Sequence, residues 1–211
     1  DGRGTPDVFP REVDGKRRPR PRLIRMMNCI KLRFSGVTYR NPAFWGIHLV
    51  DCRDIHFDAI KIRFRDNGFN NDGLDLDGCD NVLIENCDLN SGDDAICLKS
   101  TKNPCRNFMI RNCQVSSNTA PLKFGTSSRG GFINIHVYNC YFYDSPMGAI
   151  KLQSVDGGRL ENINISRIVM ENVGNPLFIR LGNRGRSYGH YTGQIQSADA
   201  AHEGIPPGTL K

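Results

Sequence analysis

Apolar and polar residues alternate along this chain in short stretches that return at an almost fixed interval. Asn81-Val-Leu-Ile-Glu-Asn-Cys87, Asn107-Phe-Met-Ile-Arg-Asn-Cys113 and Asn134-Ile-His-Val-Tyr-Asn-Cys140 are copies of one pattern, and Asn162-Ile-Asn-Ile-Ser-Arg-Ile168 is a looser fourth. The steps between them are 26, 27 and 28 residues; Asp54-Ile-His-Phe-Asp-Ala-Ile60 extends the series upstream by 27, and Cys29-Ile-Lys-Leu-Arg-Phe34 by 25. Within each copy every second residue is apolar, as with Val82 and Ile84 or Phe108 and Ile110. That is the period of a strand with one buried face. A second strand follows in each repeat, at residues 73–77, 95–99, 122–125, 149–153 and 177–181.

No helical periodicity separates successive strands, which argues against a doubly wound sheet. The Leu-x-x-Leu-x-Leu frame of leucine-rich repeats is absent, and a propeller blade needs a longer unit. A repeat of this length, with two or three short strands joined by Gly, Asn and Asp turns, predicts an all-β chain folded as a right-handed parallel β-helix, a solenoid of about six coils. The organisation expected is an N-terminal lead-in over residues 1–28, a β-helical catalytic core over 29–185, and an irregular C-terminal segment over 186–211. The Asn before Cys87, Cys113 and Cys140 is expected to turn the chain, with side-chain amides hydrogen-bonded from coil to coil.

Composition changes this picture little. Gly and Pro total 33 of 211 residues, which suits many turns, and no apolar run approaches the roughly 20 residues needed to span a bilayer. The net charge of +6 favours an acidic partner. Eight basic side chains fall in residues 1–26, yet no recognition helix or interleaved aromatics accompany them, so a solvated segment is expected rather than a nucleic-acid site. The cysteines at constant repeat positions read as stacked, reduced, buried groups rather than a disulfide framework. Neither Cys97 with Cys105 nor Cys79 with Cys87 has a second pair at zinc spacing, and no metal or cofactor is expected. The chain opens without Met, in what reads as mid-architecture, and is expected to be a fragment or a processed form.

Candidate chemistry lies in two Gly-flanked turns one repeat apart. Asn70-Asn71-Asp72-Gly73 carries one carboxylate and Ser91-Gly92-Asp93-Asp94-Ala95 carries two. If Leu74 and Leu76 stack under Ile96 and Leu98, then Asp72 and Asp94 each stand two residues before the first inward side chain of adjacent strands, about 4.8 Å apart. Adjacent acids beside a third repel one another, which raises one pKa as a general acid requires. Asp75, Asp77, Asp80 and Asp88 read instead as ordinary turn-capping carboxylates.

With these motifs in these repeats, the sequence closely resembles glycoside hydrolase family 28, the polygalacturonase-like, pectin-degrading enzymes, over about residues 20–185. Asn70-Asn71-Asp72-Gly73 matches the family's Asn-Thr-Asp, Gly92-Asp93-Asp94 its Gly-Asp-Asp, and Asn41-Pro42-Ala43-Phe44-Trp45 its Asn-Ser-Pro-x-Trp region. The resemblance implies a parallel β-helix and metal-independent hydrolysis with inversion, Asp93 being the general acid and Asp72 and Asp94 activating water. Thr119 stands where the family carries His, and Ala149-Ile150-Lys151 keeps the Lys of the family's Arg-Ile-Lys while losing its Arg.

The substrate-binding residues expected are Lys123, Lys151, Arg180 and Asn70, the cations lying on coils after the acids where they could bind a uronate carboxylate. Lys99 is a further candidate on the same face. Trp45 is expected to pack at a strand end or to stack on a sugar, and residues 184–191 to form a loop at the groove edge. The function expected is an inverting glycoside hydrolase acting on a pectin-type or related uronate-containing polysaccharide. The alternatives are a non-hydrolytic carbohydrate-binding β-helix and a polysaccharide lyase. An acidic polysaccharide or oligosaccharide partner, no nucleic-acid or membrane partner, a monomeric state, and a secreted or periplasmic location complete the expectations.

Overall fold

The repeat becomes a right-handed parallel β-helix of about six coils. The computed structural model describes residues 1–5, 7–64, 69–184 and 208–210. Among them there is no helix, and hence none long and apolar enough to cross a membrane. Of the loop expected at residues 184–191, all but Arg184 lies outside the described residues, as does most of the expected C-terminal segment. Before the solenoid, Glu12–Val13 and Lys16–Arg17 pair as a small antiparallel hairpin.

Each early coil contributes three strands. One face of the solenoid is a seven-stranded parallel sheet made of Ile24–Met27, Ile47–Val50, Leu74–Asp77, Ile96–Ser100, Leu122–Ser128, Ile150–Ser154 and Leu177–Leu181. Pairing with this sheet begins at Ile24, within the lead-in expected over residues 1–28. The repeat copies form a second ladder that includes Arg53–Asp58, Asp80–Glu85 and Cys105–Arg111. A third, shorter ladder contains Lys61–Arg63, Asp88–Ser91 and Gln114–Ser117. Further on, the second and third ladders merge into the long strands Phe132–Ser145 and Arg159–Val173.

Inward residues stack in columns down the helix axis. Ile47, Leu74, Ile96, Leu122 and Ile150 are successive register partners on the first face, and Ile55, Val82, Phe108 and Ile135 on the second. All are buried, so each coil seals its neighbours' apolar surface. Phe34 and Phe57 stack with ring centroids 4.6 Å apart.

Corners between the second and third ladders need a left-handed backbone, and the sequence supplies Asn there. Asn86, Asn112 and Asn139 have φ of 56°, 55° and 54°. Their amides also link the coils: Asn139 Nδ2 donates to Asn112 Oδ1 at 2.7 Å, Asn112 to Asn86 at 3.5 Å, and Asn86 to Asp58 Oδ1 at 3.1 Å. A second column runs from Asn162 through Asn134 and Asn107 to Asp80.

All eight cysteines are free thiols. Besides the column of Cys87, Cys113 and Cys140, the equivalent repeat position on the other corner holds Cys29, Cys52, Cys79 and Cys105. Within that column the Cys52, Cys79 and Cys105 thiols donate to carbonyls of the preceding coil. Burial pushes the Cys79 thiol up to about 12, so it stays protonated and packs as a small apolar group.

Replacing Asn112 by Ala should lower unfolding stability by about 1–2 kcal/mol, because Ala disfavours positive φ and breaks the amide column. Asn112→Gly keeps the backbone accessible and should cost less. Urea denaturation of the two variants beside wild type checks the order.

Candidate active site

Asp72 and Asp94 end up on neighbouring rungs of the first face because their strands share a register. Leu74 pairs with Ile96 and Leu76 with Leu98. The Gly73 N–H donates to the Asp94 carbonyl at 2.8 Å. Gly73 itself permits this approach, since a Cβ there would lie 2.5 Å from the Ala95 carbonyl oxygen. Asp72 and Asp94 are nearly buried, and each places a carboxylate oxygen within 4.8 Å of the other and of Cys97 Sγ.

Asp93 is more open and turns to the other side of Asp94. Its Oδ1 accepts from the Asp94 N–H at 2.9 Å and from the Thr119 hydroxyl at 3.1 Å; its Oδ2 accepts from Asn70 Nδ2 at 3.4 Å. The same Thr119 hydroxyl lies 2.8 Å from Asp94 Oδ1. Backbone placement is equally determined: the Asp93 carbonyl accepts from Ser91 and Ser117 hydroxyls, and Ser117 Oγ accepts from the Thr119 N–H at 2.9 Å. Thr119, which the resemblance puts where the family carries His, therefore touches both acids.

Cations interleave with these carboxyls. Lys123 Nζ is 2.6 Å from Asp94 Oδ2. Lys99, only 12% exposed, sits 3.0 Å from Asp75 Oδ1 and 3.8 Å from Asp72 Oδ2. Lys151 is the register partner of Lys123 on the next coil and makes no ion pair among the described residues. Its pKa is lowered by burial, with Asp94 pulling it up and Lys123 pushing it down. Arg180 is exposed and follows one coil later, paired with Gln153, so it lies outside the carboxylate cluster. Asn70 adjoins Asp93 on one side and accepts from Arg20 Nη2 at 3.2 Å on the other.

Asp75 overturns its assignment as a turn cap. It sits in mid-strand, fully buried beneath the acids. Burial lifts its carboxyl to about 6 against the opposing pull of Lys99. Asp72 is raised well above the ordinary range by burial first, then by the charge of Asp75, with Asp94 and Asp93 adding to it against Lys99. At Asp72 burial and Asp75 thus outweigh the crowding foreseen from the adjacent pair Asp93-Asp94. Asp77, in contrast, does cap a turn, accepting from the Thr101 N–H and hydroxyl.

Other side chains found here had weak sequence signals. His48, the register partner of Asp75, is buried and packs edge-on against Trp45 with centroids 4.9 Å apart. Burial, reinforced by Arg22, Arg25 and Lys99, drives its pKa down to about 3, so it is neutral. Trp45 is packed rather than open: Arg22 lies 4.7 Å and Lys99 4.6 Å from its ring, and Phe44 stacks on it. The basic lead-in is correspondingly not all solvated. Arg20 Nη1 donates to the Ala43 and Phe69 carbonyls, and its guanidinium lies over Phe44.

Among the described residues, two groups of side chains bring donor atoms together as a cation would need: Asp72, Asp94 and Cys97, and His56, Asp58 and Glu85. In the first, Lys99 and Lys123 already face the oxygens. In the second, Glu85 is bound by Arg111 and His56, and Asp58 by Arg33. Ammonium and guanidinium groups therefore stand where a metal would sit.

The sequence pattern of the glycosyl hydrolases family 28 matches residues 2–205. A probable polygalacturonase of Arabidopsis thaliana is 28% identical over 171 residues, covering 76% of this chain and 35% of the relative. One from Vitis vinifera is 28% identical, covering 72% and 33%. A probable exopolygalacturonase B of Aspergillus flavus is 28% identical, covering 76% and 39%. Among solved structures, the hyperthermoactive exopolygalacturonase of Thermotoga maritima superposes with a TM-score of 0.62 at 25% identity, over 72% of this chain and 38% of that one. The chain thus spans about a third of the length of the first two of these relatives. With the family pattern running over nearly its whole length, this chain belongs to the glycosyl hydrolases of family 28.

Proposed function

We propose that the protein hydrolyses glycosidic bonds of a pectin-type, uronate-containing polysaccharide, with inversion, and does so outside the cell where such polymers occur. The observation that carries this reading is the meeting of Asp72, Asp93 and Asp94 on one face, with Lys123 paired to Asp94 at 2.6 Å.

The environments of the three acids divide the work. Asp94, bound by an ammonium and a hydroxyl, is held as a carboxylate and takes the proton of the attacking water. Asp72, whose carboxyl burial raises well above the ordinary range, orients that water beside Asp94. Asp93, the most open of the three, gives its proton to the leaving oxygen. Lys151, which has no carboxylate partner among the described residues, is the cation free to pair with a uronate carboxylate, and Asn70 borders the leaving-group side. Arg180 would serve a sugar two or more rungs further along the face.

The Asp75–Lys99 pair supports this arrangement from below. It places a positive charge beneath Asp72 and, by excluding water, strengthens every charge above it.

Asp93→Asn should lower kcat on polygalacturonate about 10²–10⁴-fold with KM little changed. Lys151→Met should instead raise KM about tenfold, the factor of a lost charge-assisted hydrogen bond. Reducing-sugar assays of the full-length protein measure both, and the anomer first formed, followed by proton NMR, tests inversion. Binding of oligogalacturonate with no sugar release by wild type would replace this reading with a carbohydrate-binding one, and unsaturated products absorbing in the ultraviolet would replace it with a lyase.

Asp75 also sets a pH dependence of stability. Its carboxyl titrates near 6 when folded, against about 3.9 in an unfolded chain, so between these values the folded state holds more protons. Its contribution is complete below about pH 4 and is lost as pH rises through 6. Melting temperatures of wild type and Asp75→Asn at pH 4, 5, 6 and 7 should therefore shift in the variant's favour across that window.

A further inference from the structure

Thr119 has one hydroxyl proton and two carboxyl neighbours. Its Oγ1 is 3.1 Å from Asp93 Oδ1 and 2.8 Å from Asp94 Oδ1. A hydroxyl donates once and accepts through two lone pairs. If both acids were ionised, one of these short approaches would set lone pair against lone pair. Both are satisfied when one carboxyl carries a proton and donates it to Oγ1, while Oγ1 donates to the other.

Lys123 breaks the symmetry. Its ammonium lies 2.6 Å from Asp94 Oδ2, whereas Asp93 is met by two neutral amides, the Asp94 N–H at 2.9 Å and Asn70 Nδ2 at 3.4 Å. A short contact to an ammonium favours the ionised form of its partner more than neutral amide donors do. The geometry points to Thr119 as a positioning residue that orders the site as Asp93–OH to Thr119 Oγ1–H to Asp94 carboxylate, reserving the transferable proton for Asp93. This rests on the hydrolytic reading above and adds to it the group that keeps the acid charged with its proton.

The Thr119 hydroxyl has one further neighbour, Ser117 Oγ at 3.4 Å, a longer approach than either carboxyl. The Thr119 N–H is tied to Ser117 Oγ, whose own hydroxyl is tied to the Asp93 carbonyl. The acids and the hydroxyl are thus fixed to one another through three residues of two adjacent coils. The other titratable and charged groups facing the pair are Asp72, Asp75, Cys97 and Lys99 from the strands below and beside them, and Lys123 and Lys151 from the strands above. Arg20 acts only through Asn70.

Thr119→Val keeps the shape and deletes the proton bridge, whereas Thr119→Ser keeps it. In Val the protonated form of Asp93 loses its acceptor and the ionised form of Asp94 loses its donor. The pH profile of kcat should then narrow from both sides by about one pH unit on each limb, with kcat at the optimum about tenfold lower and KM within twofold. Ser should restore the wild-type limbs. A structural role alone would lower activity without moving the limbs, so unchanged limbs in a folded Thr119→Val overturn the proposal. A second measurement needs neither turnover nor a Thr119 variant that folds. Carboxyl-carbon NMR of wild type, with the two signals assigned through Asp93→Asn, should find Asp93 protonated over a range where Asp94 is ionised; the reverse order overturns the proposal. If wild type releases no sugar, the hydrolytic reading fails while this titration still decides whether Thr119 orders the two acids.

Discussion

Everything at the candidate site depends on the parallel register between the strands Leu74–Asp77 and Ile96–Ser100. Side chains alternate faces along a strand, so a slip of one residue in a single coil would turn Leu74 and Leu76 outward and drive Asp75 and Asp77 into the core. The apolar columns that stabilise the solenoid are therefore the same constraint that brings Asp72 beside Asp94. Folding and site assembly are not separable here, because the energy of burying one face fixes the geometry of the other.

The outward face holds a dense arrangement of charge for a solvent-facing sheet. Four carboxyls, Asp72, Asp75, Asp93 and Asp94, meet three ammonium groups, Lys99, Lys123 and Lys151. Desolvation is opposed by pairing: Lys99 is drawn down by burial yet held well above its usual range by Asp75, Cys97, Asp72 and Asp94. Removing one member of such a buried set leaves the others uncompensated, which is far costlier than losing a surface ion pair. Trp45 and His48 close the cover around Lys99, and Arg22 lies on the outer side of Trp45. The first coils thus shield the charges that the middle coils carry.

Much of this was legible in the sequence, for definite reasons. The Asn81, Asn107 and Asn134 repeat identified the solenoid because each copy must bury one face and turn one corner, and both demands write the same residues every 26 to 28 positions. The strands Ile24–Met27 and Ile47–Val50 escaped, lacking the Asp-Gly or Asp-Ala turn that precedes Leu74 and Ile96. Asp72, Asp93 and Asp94 were visible because turn chemistry surrounds them. Asp75 was not, since its alternation with Leu74 and Leu76 reads as a half-exposed strand; only the Trp45, His48 and Lys99 cover, drawn from different coils, makes it buried. Thr119 could be seen as a departure from the family pattern, but its two carboxyl partners lie 25 and 26 residues away and become neighbours only through the coil geometry.

The asparagine columns carry a direction. In each, the amide N–H of a later coil points to the oxygen of an earlier one, and the series stops on a carboxylate, Asp58 in one column and Asp80 in the other. Amide dipoles aligned in this way add along the axis, as peptide dipoles do in a helix, with their positive ends toward the terminal Asp. A carboxylate can only accept, so it both ends the chain of donors and matches the accumulated field. The solenoid is in this sense a polarised stack: its corners are wired from the later coils toward the earlier ones, and inverting a single Asn amide would set donor against donor on one side and acceptor against acceptor on the other.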